Sequence, residues 1–181
     1  MTQIRLIVYT ALFVALIACG AFISVPIGPV PIVLQNMFVL LAGLILGPKW
    51  GVGCVGIYLV IGLAGLPVFA GATAGMGKLF GPTCGYLLGY LPAVCVTGLL
   101  SAKGNKTLAK DMFALAAGSL IIYATGVPWL KLVFAISWSK ALAAGMFPFL
   151  IGDGLKVVAA ALIARKIRPL IREEHHVRSS S

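Results

Sequence analysis

The sequence predicts an all-α integral membrane protein with six transmembrane helices, both termini cytoplasmic, and a Gly/Pro-rich outer loop between helices three and four. Three observations lead there. Of 181 residues, 61% are hydrophobic and only 10% charged, and the mean hydropathy is +1.09. A soluble domain is nearer half apolar and a quarter charged, so water cannot solvate this chain. The apolar residues fall into runs close to the roughly 20 residues that cross a bilayer. The 14 Lys and Arg, set against 4 Asp and Glu, crowd into alternate connections. Six crossings consume most of the length, and residues 1–181 read as one membrane domain with no separate soluble part.

The first span covers 4–24. Its basic start at Arg5 and apolar core ending in LIAC at Cys19 match a bacterial lipoprotein signal. Cleavage there would remove a whole span, so the first-span reading is preferred, with Ala11, Ala15, Ala18 and Cys19 lining one face at helical spacing, a stripe for internal packing or for a partner protein. Pro26, Pro29 and Pro31 then interrupt the chain. Spans two and three, 32–47 and 50–66, are separated by Pro48 and closed by Pro67, since proline lacks a backbone donor and disfavours a continuing helix. Span four, 84–100, contains Pro92 as a kink; span five is 112–126 and span six 144–165. A basic cytoplasmic tail follows over 166–181, with His175 and His176 solvated in it.

Charge sets the orientation. Arg5, Lys49, Lys103, Lys106, Lys110, Arg165, Lys166, Arg168, Arg172 and Arg178 share one side, ten against Lys78, Lys131 and Lys140 on the other. Positive residues are retained in the cytoplasm, so the termini are inside. The same rule accounts for the net charge of +10 without nucleic acid. Trp50 on one side, and Trp129 and Trp138 on the other, suit interfacial belts. The connections 25–35 and 67–86 are then both outside, with 126–143 as a third outer piece. Segment 67–86 is long, weakly polar and rich in glycine, which fits a folded cover or re-entrant segment better than a solvated linker.

Several motifs carry little. GVGCVG at 51–56 matches a dinucleotide fingerprint, but no strand precedes it and no acid follows at the required distance; its glycines serve close helix packing. Cys19, Cys54, Cys84 and Cys95 form no CxxC pair beside a histidine, which argues against a metal site or disulfide framework. No Walker A sequence is present, so ATP is not hydrolysed by this chain.

Asp153 and Lys156 are the sharpest feature. They stand three residues apart inside the sixth span, on one helix face. Ionisable groups at that depth rarely face lipid. They read either as a self-neutralising pair or as an acceptor and donor presented to a cavity, where a small polar ring bearing N–H and C=O groups would fit. Gly152 and Gly154 beside the aspartate leave room for a ligand near the backbone. Lys78 is a candidate partner for a substrate carboxylate or a solvated loop residue. Gln35 either donates and accepts toward a ligand or caps span two, and Tyr86, Tyr123, Phe69 and Trp129 are candidate apolar walls.

Four blocks, GPVPIVLQ at 28–35, GLAGLPVFAG at 62–71, GPTCGYLLG at 81–89 and PFLIGDGLK at 148–156, resemble in order the biotin transporter family BioY. Members of that family are the substrate-capture (S) components of energy-coupling-factor transporters. The resemblance implies a six-span protein that binds biotin from outside and docks onto a membrane coupling protein with paired ATPases. It implies no cofactor of its own, and ATP used only by the partners. By similarity, Asp153 and Lys156 match the acid-x-x-Lys element for the ureido ring, and Ala11 and Ala15 the docking surface of the first helix. This chain departs from the family in having Ala72 or Ala74 near a usual Gly-Gly pair and Cys84 in PTCGY. Lys78 as partner of the biotin carboxylate is an inference from charge.

The alternatives are a solitary biotin transporter, an S component for another vitamin, a channel and an intramembrane enzyme. A channel sits poorly with an ionisable pair built for binding. An aspartyl enzyme needs two facing membrane acids and only Asp153 is available; no span holds a histidine.

Overall fold

The computed structural model describes residues 3–26, 28–102 and 107–177, the stretch 170–177 by its backbone alone. Helix α1 (Gln3–Phe22) is apolar on all sides, and at 1.5 Å per residue it is about as long as a bilayer core is thick. Thr10, Phe13, Ile17, Gly20 and Ala21 recur every three or four residues and form its buried stripe. Ile4, Ile7, Val8 and Leu12 point outward, an arrangement that only a lipid surrounding makes inexpensive. A two-rung hairpin follows, β1 (Ser24–Val25) antiparallel to β2 (Ile32–Val33), with Ser24 opposite Val33 and Val25 opposite Ile32. This small ladder departs from an all-helical build, and it folds the segment that the sequence leaves as connection.

Helix α2 (Gln35–Leu63) is a single run with a break at Gly47, whose φ of 79° and ψ of 179° belong to glycine. Pro48 follows, where a missing N–H costs nothing at the start of a new helical arm. The break is a reversal. Gln35 and Tyr58, 23 residues apart, would lie about 35 Å apart on a straight helix, yet their side chains are hydrogen-bonded at 2.9 Å. The two arms therefore run back along each other.

The loop after α2 is compact, with Phe69 and Thr73 bridged through their backbones and a 3-10 turn at Met76–Phe80. Helices α3 (Cys84–Ala102) and α4 (Leu108–Phe134) follow, then the short α5 (Trp138–Gly145) and the long α6 (Phe147–Val177). Among the described residues, five helical runs are long and apolar enough to span a membrane. The core lies where α3 packs between α2 and α4, with α6 closing the far side.

Two boundaries differ from the sequence reading. The helix expected to end at 126 continues through Gly126 and Pro128 to Phe134, so 126–143 is mostly helix. One proline removes one hydrogen bond, whereas ending the helix in an apolar surrounding would strand several backbone groups. The chain reverses only at Ala135, which takes the left-handed φ of 51°. At the other end α6 passes 165 without interruption, and Arg168 is not solvated: its Nη1 bonds Asp111 Oδ2 at 2.5 Å. Lys103, Lys106 and Arg178, and the side chains of Arg172, His175 and His176, lie outside the described residues.

Candidate functional site

An open cavity, about 630 Å³ with the solvent at its mouth included, lies among the hairpin, the N-terminal end of α2, the loop after α2, α3, α4 and the start of α6. Asp153 and Lys156, one turn apart on α6, form its charged corner. The carboxylate is buried, and Lys156 Nζ lies 2.8 Å from Asp153 Oδ1. The same ammonium donates to Val33 O of β2 at 2.8 Å and to Asn36 Oδ1 at 3.2 Å, which uses all three of its hydrogens. Asp153 Oδ1 also accepts from Asn36 Nδ2 at 3.0 Å, and Oδ2 accepts from the Tyr123 hydroxyl of α4 at 2.5 Å. The pair is thus held from three directions, so each group presents a fixed edge to the cavity.

Aromatic and aliphatic side chains make the rest of the wall. Phe69 sits edge-on to Tyr58 with ring centroids 5.6 Å apart. Tyr58 accepts from Gln35 Nε2 and donates to Val68 O at 3.0 Å, joining both arms of α2 to the loop. Tyr86 donates to Gly145 O at 2.8 Å, and its ring lies so close to Gly126 that a Cβ there would come within 2.3 Å of it. This contact gives Gly126 a packing role inside a continuous helix. Lys78, on the 3-10 turn, reaches the cavity; its backbone is bonded to Gly75 and Gly81, while its ammonium has no hydrogen-bond or ion-pair partner among the described residues.

Of the residues singled out in the sequence, the structure brings Asp153, Lys156, Lys78, Gln35, Tyr86, Phe69 and Tyr123 into one wall. It does not bring Trp129 there. That indole donates to Gly81 O at 2.9 Å and braces the end of the loop against α4, so it is neither cavity wall nor free belt residue. Gln35 does not cap α2; its amide is spent on Tyr58. Gly152 and Gly154 are not in the wall either. Ala11 and Ala15 lie far from these contacts, exposed on α1 opposite its buried Phe13 and Ile17.

Sequence reasoning passed over Asn36, Tyr90, Thr83 and Phe149, all of which line the cavity. Two signals were available. Asn36 is the neighbour of Gln35 in a chain poor in amides, and Tyr90 follows Tyr86 by one helical turn, which puts both rings on one face.

Comparison with known proteins agrees with this architecture. The model of the BioY family matches residues 1–173. The biotin transporter BioY of Thermotoga maritima is 42% identical over 166 residues, covering 92% of this chain and 97% of its own length. The probable biotin transporter BioY of Pyrococcus horikoshii is 41% identical over 158 residues, covering 87% and 93%. Among solved structures, the S-component for biotin from an ECF-type ABC transporter superposes with a TM-score of 0.86 at 30% identity, covering 93% of this chain and 95% of the other. This chain, a multi-pass membrane protein of helical build, belongs to the BioY family.

Proposed function

We propose that the chain is the biotin-capturing S component of a vitamin uptake transporter of the cell membrane. The observation that carries the reading is the Asp153–Lys156 pair fixed in the cavity wall. The ureido ring of biotin offers two N–H donors and one carbonyl, the complement of a carboxylate beside an ammonium. The aromatic wall receives the bicyclic ring, and Lys78 pairs with the carboxylate of the side chain. No group in the site is arranged for covalent chemistry, and the function is transport rather than catalysis.

In this reading α1, the two arms of α2, α3, α4 and α6 cross the bilayer, making one six-span domain with both termini in the cytoplasm and the cavity facing outward. Support comes from Lys49 at the α2 reversal and Lys110 and Arg165 near the same end, against Lys78, Lys131 and Lys140 at the cavity end. The exposed Ala11 and Ala15 permit the close helix approach needed to dock on a coupling protein that carries the ATPase pair.

Calorimetric titration of the detergent-purified chain with biotin, desthiobiotin, thiamine and riboflavin tests the reading. Tight stoichiometric heat with biotin and none with thiamine or riboflavin is the expected result. Heat with thiamine or riboflavin alone would reassign the substrate.

A further inference from the structure

The carboxamide of Asn36 makes two contacts in the cavity that together have a chemical meaning. Its Nδ2 donates to Asp153 Oδ1 at 3.0 Å, and its Oδ1 accepts from Lys156 Nζ at 3.2 Å. Lys156 Nζ reaches the same Asp153 oxygen at 2.8 Å. A carboxylate and an ammonium therefore read one amide edge, an N–H beside a C=O. A cyclic urea or lactam presents that same edge, because its ring holds N–H and C=O on one side.

We propose that Asn36 is an intramolecular competitor for the ureido subsite, so that ligand binding is an exchange of one amide edge for another. The proposal rests on the assignment of Asp153 and Lys156 to the ureido group, and adds that this chain's own side chain sets the threshold a ligand must exceed. The donor count requires it. Lys156 spends its hydrogens on Asp153, Val33 O and Asn36, so a ligand carbonyl has to replace one of them. Asp153 carries the opposite charge and Val33 O is backbone held in the hairpin ladder. The Asn36 contact is the longest of the three and comes from a neutral side chain that is only half-buried.

Its departure leaves no backbone donor stranded. The Met37 N–H, which donates to Asn36 Oδ1 at 3.0 Å, also donates to Leu34 O at 3.2 Å and keeps that partner. Selectivity follows from the same geometry. A ligand without adjacent N–H and C=O groups on one edge cannot repay both contacts it displaces, and is refused before its remaining atoms matter.

Calorimetric titration with biotin of the wild-type chain, Asn36→Ala and Asn36→Thr, with Asp153→Asn as reference, is the test. Removing the competitor is expected to tighten biotin about tenfold, the scale of one hydrogen bond to a charged group. Unchanged or weaker binding in both Asn36 variants, with Asp153→Asn still weakening it, overturns the exchange and leaves Asn36 as a positioning residue. Normal binding by Asp153→Asn overturns the assignment beneath it as well. Should the variants fail to fold, the wild-type chain decides: its Asn36 side-chain amide resonance shifts on biotin addition if the exchange occurs, and an unmoved resonance overturns it.

Discussion

Helix α6 carries an ion pair at each end of the bundle, and the two are built to different ends. Asp153 and Lys156 lie one turn apart on the helix itself, at a cavity. Arg168, about 22 Å further along the same helix, pairs with Asp111 at the start of α4 and donates through Nη2 to Leu44 O at 2.9 Å and Ser101 Oγ at 2.8 Å. That guanidinium gathers the first arm of α2, the end of α3, α4 and α6 into one knot, and Asp111 is only 1% exposed. The cavity pair joins as many elements, β2, α2, α4 and α6, but has room beside it. The difference teaches that a charge buried in a bilayer protein is not by itself a functional site: what separates the two pairs is access.

Mutation separates them further. Arg168→Ala leaves a fully buried carboxylate without its partner, a loss of about 3–5 kcal/mol. The expected result is a large drop in melting temperature in detergent, with biotin affinity of the surviving folded fraction unchanged. Equal melting temperatures would mean that the knot adds nothing to the fold.

Asp153→Asn works the other way. It keeps the shape and removes the acceptor charge, so biotin binding is expected to weaken by about 10–100-fold, the range for hydrogen bonds to charged groups, while melting changes little. A variant that melts early and binds normally would make both pairs structural.

Tyr123→Phe removes only the hydroxyl that reaches Asp153 Oδ2. A loss of about 1 kcal/mol, roughly fivefold in affinity, is expected in the same titration. The smallest effect belongs to Lys78→Ala, about threefold for biotin, as for a partly exposed ion pair. The amide of biotin, whose carboxylate is blocked, should bind equally to both proteins; equal losses for the two ligands would remove Lys78 from the carboxylate role.

The contrast also explains what was legible in the sequence. Asp153 and Lys156 could be read together because three residues make one helical turn, and hydropathy was enough to mark the long helices. The Asp111–Arg168 knot bridges 57 residues, and Gln35 to Tyr58 bridges 23; no local pattern announces a partner at such separations. Trp129 and Tyr86 show the same limit for aromatics. Both looked like wall residues, and only tertiary packing sends the Trp129 indole to Gly81 O while Tyr86, bonded to Gly145 O, stays in the cavity wall. Whether span five continued past Gly126 and Pro128 could not be read locally either, because the rule that proline ends helices is a rule for water, where freed backbone groups find solvent.

The reversal at Gly47 has a consequence for depth. From Gln35 to Gly47 the first arm of α2 rises only about 18 Å, well short of the roughly 30 Å of a hydrocarbon core. In the orientation proposed above, which puts the reversal at the inner boundary, Gln35, Asn36 and the charged corner that Asn36 touches are sunk beneath the outer surface rather than level with it. The work of withdrawing those charges from water is then done once, when the chain folds, and a ligand arriving there meets hydrogen-bonding groups already screened from solvent competition.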